Sequence, residues 1–273
     1  MFFKYNYDNK LIVAINAINF NNISNELLEK IKIEIDLLIT ELYFEEININ
    51  IFENSILITN KAEELEDLKD ILYFLSKLQI TLLLKGILIN GSVTIGKDCT
   101  LLKEKVSMPR IIISKELQKY LNEYNENDIE ELEFEFDEFN INNDTYDMNY
   151  LSEEKKIYTT VEEIKYLLKL DKDKILYIDY LKDYLKDYLE SEKEYIKYKK
   201  ENLIMKNSFN YKSDFYSYYF KNIVTEIKKV IFNGLSNNND MNIILKYLWL
   251  KDYYNNTLYM LGANSNNKAF LNT

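Results

Sequence analysis

Histidine is absent from this 273-residue chain. That absence removes Ser-His-Asp and Cys-His nucleophile pairs, histidine general bases and every histidine-containing zinc site. A metal site would have to be built from carboxylates and amides, which suits Mg²⁺, Mn²⁺ or Ca²⁺. The one cysteine, Cys99, excludes an internal disulfide framework and fits a reducing cytoplasm. Cys99 has no His or second Cys as partner; Lys97 or Lys103 could activate it, but an inert thiol is the simpler reading. No apolar run reaches the ~18–20 residues a membrane helix needs, and MFFKYNYDNK lacks the apolar centre of a signal peptide. The expectation is a cytoplasmic protein that does not enter a membrane.

Basic charge is also scarce: the formal net charge is −11 and the pI about 4.8. A binder of nucleic-acid backbone needs a clustered positive footprint, so nucleic acid is not the expected partner. What is abundant (Asn, Lys, Ile and Tyr) reflects an AT-rich coding bias and says little about chemistry. The rare residues say more. Three of the five glycines, Gly86, Gly91 and Gly96, fall within eleven residues, and the only Pro and only Arg are adjacent at Pro109-Arg110.

Hydrophobic content of 47% with 29% charge describes a foldable chain with room for one core and a smaller extension. KLIVAINAINF (10–20) reads as a strand, and NISNELLEKIKIEIDLLITELYF (22–44) as an amphipathic helix capped by Asn22 or Ser24. EEININIFENSILITN (45–60) reads as a hairpin, and 61–85 as a second helix ended by Gly86. GILINGSVTIG (86–96) is a strand, and PRIIISKELQKYLNEY (109–124) a strand followed by a helix. The expected architecture is α+β, a mostly antiparallel sheet with helices on one face, over residues 1–125. Residues 126–156 read as an acidic edge strand and a polar loop, without the spacing of a calcium loop. Residues 157–273 read as a helical, Tyr-rich region. Within it DYLKDYLKDYLE (179–190) repeats one tetrapeptide, whose leucine stripe packs on its own domain or serves a partner. Trp249 is expected to anchor the last helices.

GSVTIGKD (91–98) nearly matches a phosphate-binding loop, but Asp98 replaces the hydroxyl that holds magnesium and would repel phosphate. The interior, Ser-Val-Thr-Ile, is strand-forming.

AINAINF (14–20), FENSILI (52–58), ILINGSVTIG (87–96) and PRIIIS (109–114) occur in an order and spacing that resemble the class III nucleotide cyclase homology fold. The likeness is to its divergent prokaryotic branch, which includes the Pycsar antiphage cyclases; ILYIDYL (175–181) and KYLWLKDYYN (246–255) resemble that branch's carboxyl-terminal signature. The resemblance implies a ferredoxin-like, palm-type core and a setting in bacterial or phage defence. In that family two aspartates hold two divalent metals that bind the triphosphate and activate the ribose hydroxyl.

Here the two metal-site positions fall on Asn16 and Asn54, which supply no negative charge. Glu53 and Asp98 are the candidate substitute ligands, with Asp179 a further one. Phe20, Ser55, Asn90, Gly91 and Arg110 fall at candidate nucleotide contacts, with Asn90 where the family carries arginine. Only twelve residues, KDCTLLKEKVSM, separate Gly96 from Pro109, shorter than in the relatives. The resemblance thus implies a degenerate cyclase with no catalytic residue and no cofactor, acting through a nucleotide, a homodimer or a cyclase-like partner. Two alternatives stay open: an active Mg²⁺- or Mn²⁺-dependent cyclase with relocated ligands, and an assembly protein using its helical half.

Overall fold

The computed structural model describes residues 10–19, 25–42, 47–52, 55–61, 64–95, 108–122, 153–202, 211–264 and 267–271. Phe20, Asn22, Ser24, Glu53, Asn54, Asp98 and Cys99 lie outside them, as do residues 126–152 of the expected acidic segment.

Alternation sets the first strand. In β1 (Lys10–Ala17) the residues Leu11, Val13, Ile15 and Ala17 are buried on one face, as period-two geometry requires. The chain continues through α1 (Asn25–Glu41), the hairpin β2 (Asn48–Phe52) and β3 (Ser55–Lys61), α2 (Leu65–Leu84) and β4 (Ile89–Ile95). Next come β5 (Ile111–Ile113) and helix α3, residues 115–122. The remainder comprises α4 (Glu153–Tyr166), β6 (Leu168–Leu170), β7 (Leu176–Ile178), α5 (Lys182–Asn202), α6 (Tyr211–Asn237) and α7 (Met241–Met260).

α2 shows why these sequences stop and start where they do. Glu64 and Asp67 form a reciprocal capping box at its amino end. At its other end Gly86 takes φ +75°, while the Gly86 and Ile87 amides donate to Leu83 and Leu82 carbonyls. This is a Schellman stop, which glycine enters without a Cβ penalty.

The strands of the described residues form one seven-stranded sheet in the order β2-β3-β1-β4-β5-β7-β6. β1 pairs antiparallel with both β3 and β4, whereas β4 and β5 run parallel. The sheet is therefore mixed, and the α+β class holds. Ile56 and Ile58 of β3, Val93 of β4, and Ile111 and Ile113 of β5 share the buried β1 face. α2 packs against this side of the sheet.

Three expectations need correction. Residues 157–273 are not helical throughout: β6 and β7 form a hairpin that extends the sheet beyond β5. Three-residue strands are too short to display alternation, so the helical pattern on either side hides them. Likewise residues 153–156 belong to α4, not to a loop.

Nor are the helices confined to one face. Lys169, Tyr177 and Ile112 are register partners on the opposite side of the sheet. There Trp249, Tyr253 and Thr257, spaced i, i+4, i+8 on α7, meet Tyr177 and Lys169. The repeated tetrapeptide faces inward: Leu181, Leu185 and Leu189 are buried, with Tyr180 and Tyr188 beside them.

Candidate functional site

Register brings several of the singled-out residues into one row. Asn16 on β1 lies opposite Ser55 on β3 and opposite Asn90 on β4. Directly opposed residues of antiparallel strands point to the same face, so Ser55, Asn16 and Asn90 share the side away from the Ile15–Val93 core. Ser55 Oγ donates to Asn16 Oδ1 at 2.5 Å. Asn90 and Ser92, two residues apart on β4, are both buried. The row is amide and hydroxyl in character.

Gly91 has a mechanical part in it. A Cβ there would lie 2.3 Å from the Ala14 carbonyl oxygen, so β1 and β4 approach one another at a distance that only glycine permits. The Gly91 amide in turn donates to the Arg110 carbonyl at 3.1 Å, which starts the parallel pairing with β5.

Arg110 is 5% exposed. Its Nη2 donates to Asp173 at 2.8 Å and its Nη1 to Asp171, both in the β6–β7 turn. The guanidinium carbon lies 5.7 Å from the ring centroids of both Tyr177 and Trp249. Trp249 Nε1 donates to Asp171 at 3.2 Å, so the only Arg and the only Trp share one carboxylate. The Arg110 hydrogen bond holds the Asp173 carboxyl below its ordinary range. Two carboxylates cancel the Arg110 charge, which makes it a poor phosphate ligand and a strong link between β5 and the hairpin.

Beyond this link the environment turns drier. Tyr253 OH donates to Asp179 at 2.6 Å and accepts from the Leu181 amide at 3.1 Å. Burial nonetheless raises the Asp179 pKa, with the Tyr253 hydrogen bond opposing it. Asp179 is engaged with α7. Among the described residues no group of three or more carboxylates or cysteines is placed to hold a metal.

Sequence reasoning passed over Asn19. Its Nδ2 donates to the Gly86 carbonyl at 2.8 Å and to Tyr247 OH at 3.1 Å, while its Oδ1 accepts from Leu88 N at 2.9 Å. One amide thus joins the exit of β1, the α2–β4 turn and α7. Asp171 and Asp173 were missed too; the available signal was that a lone buried arginine needs carboxylate partners. No helix of the described residues is long and apolar enough to cross a membrane. Compared with protein-family models, curated proteins and solved structures, the chain matches none.

Proposed function

We propose that this chain is a cyclase-like domain with a ferredoxin-like core that has lost metal chemistry and works by binding a nucleotide or regulating a partner. The observation that carries the reading is the row Ser55–Asn16–Asn90. Its central side chain is an amide already engaged by a hydroxyl, at the position where the resemblance calls for a metal-binding carboxylate. The strand–helix–hairpin–helix–strand order with β2-β3-β1-β4 pairing is the split arrangement that such a core requires, and it supports the assignment. An amide offers metal no net charge, and losing one such electrostatic group costs about 10²–10³ in rate. A bacterial or phage defence setting follows from the resemblance.

Purified protein incubated with each of the four nucleoside triphosphates and Mn²⁺ tests this reading. The expected result is no turnover, with saturable binding of a nucleotide or of a cyclase-like partner. Metal-dependent formation of a cyclic or linear nucleotide product overturns it in favour of relocated ligands.

A second reading, assembly through the helical half, draws on α7. Met241, Leu245 and Leu248 are exposed at i, i+4, i+7 spacing, an apolar stripe of the kind used between helices. Light scattering after size exclusion decides it: a monomer at high concentration removes both self-assembly and the homodimer.

A further inference from the structure

Helix α7 is apolar on two faces. Ile243, Tyr247, Leu250 and Tyr254 are buried against the domain, while Met241, Leu245 and Leu248 stand exposed on the opposite side. A helix apolar all round is normally covered all round. The exposed stripe has definite ends: α7 begins at Met241, and the next position of the stripe after Leu248 is Asp252, which is exposed.

Charge on the flank of the stripe is arranged for a two-fold axis. Asp240, the N-cap, and Lys251 lie about three helical turns apart, on the same flank. Asp240 Oδ1 accepts from the Asn242 amide at 2.8 Å, and Lys251 has no hydrogen bond or ion pair with a described residue. Consider two antiparallel α7 helices with Leu245 beside Leu245 of the second copy. Met241 of each then falls next to Leu248 of the other, and the apolar side chains interleave along the seam. The same register sets Asp240 opposite Lys251 twice, once on each side of the axis, as an isologous contact requires.

Other arrangements are poorer. A parallel pair would oppose Asp240 to Asp240 and Lys251 to Lys251, and like charges so placed repel. A slide of one turn toward the carboxyl end would press Asp252 against leucine, at the cost of an unpaired buried charge.

We propose that the exposed face of α7 binds a second copy of this chain, antiparallel about a two-fold axis at Leu245, with an Asp240–Lys251 ion pair at each end. The surface rests on the assembly reading and is independent of the nucleotide one. Sedimentation equilibrium of the full chain over a dilution series from about 1 mM tests it. A reversible monomer–dimer equilibrium is expected, because so short a seam falls below the about 1,200 Å² of a standard interface. Leu245→Glu sets two carboxylates side by side at the axis and should weaken the dimer about tenfold or more. Lys251→Glu should weaken it roughly three- to tenfold, with circular dichroism unchanged in both. Mixing the Lys251→Glu chain with an Asp240→Lys chain should recover the dimer, since opposite charges face one another at both ends only in the mixed species. A parent chain that stays monomeric at about 1 mM overturns this proposal and the assembly reading together, and leaves the stripe to a different protein. A dimer that Leu245→Glu leaves intact overturns the α7 interface alone, and one that Lys251→Glu leaves intact overturns the antiparallel register.

Discussion

Ser55 donates its hydroxyl hydrogen to Asn16 across the β3–β1 pair, at 2.5 Å. Removing the donor with Ser55→Ala is expected to cost about 0.5–1.5 kcal/mol in urea unfolding, the net worth of one such hydrogen bond. A larger loss would mean that the whole row, Asn90 included, relaxes with it.

The two positions that the resemblance assigns to metal, Asn16 of this row and Asn54, can be recharged. Asn16→Asp combined with Asn54→Asp should tighten Mn²⁺ binding at least about tenfold, because paired carboxylates supply the charge a divalent ion requires. Calorimetry showing unchanged Mn²⁺ affinity in the double variant would mean that the two positions do not share a site.

Arg110 holds the β6–β7 turn through two carboxylates. Arg110→Met leaves Asp171 and Asp173 without their cation and should cost about 2–3 kcal/mol, below a fully buried pair because the Asp173 side chain is 52% exposed. Trp249, the chain's one tryptophan, sits beside the guanidinium. Its fluorescence therefore reports the loss as a shift to longer wavelength before global unfolding.

Asp173 and Asp179 bend stability with pH in opposite senses. Arg110 lowers the Asp173 pKa, so that contribution is complete above the ordinary value of 3.8 and is lost as pH falls through the folded value. Burial raises Asp179, so folding favours its protonated form, and stability declines as pH climbs from 3.8 to the folded value. Asp179→Asn keeps an acceptor for Tyr253 and cannot ionise. The variant should gain on the parent as pH rises through that window and hold the gain to neutrality. Urea unfolding at stepped pH measures it, and a constant difference would refute the assignment.

The first four strands and two long helices were legible because their periods are long enough to repeat: Leu11, Val13 and Ile15 alternate, and Gly86 marks a helix stop. β6 and β7 were not, since Leu168–Leu170 and Leu176–Ile178 offer a single alternation each. Their turn also hides, with Lys174 rather than glycine at φ 62°. The Asn16–Asn90 alignment depends on register, and the Arg110–Asp173 pair on a sequence separation of 63 residues; no local pattern encodes either. Resemblance alone pointed to the row.

Two glycines make a contrasting pair of tests. Gly234 lies in α6, where alanine normally gains about 1 kcal/mol; here its Cβ would fall 2.3 Å from the Tyr247 ring. Gly234→Ala should instead destabilise by about 1–3 kcal/mol, displacing a buried ring that is bonded to Asn19. Gly91→Ala should cost more, since the obstacle is the Ala14 carbonyl and backbone cannot rotate aside. Thermal melts of the two variants rank them.

The Asn19–Tyr247 bond spans 228 residues, and that span has a consequence in time. At ordinary rates of synthesis roughly 10–50 s separate the emergence of its two ends. During that interval the exit of β1 and the far face of Tyr177 wait without α7. The helix made later closes over a strand made earlier, so the packing of α7 on this sheet is complete only after residues 10–260 have left the ribosome.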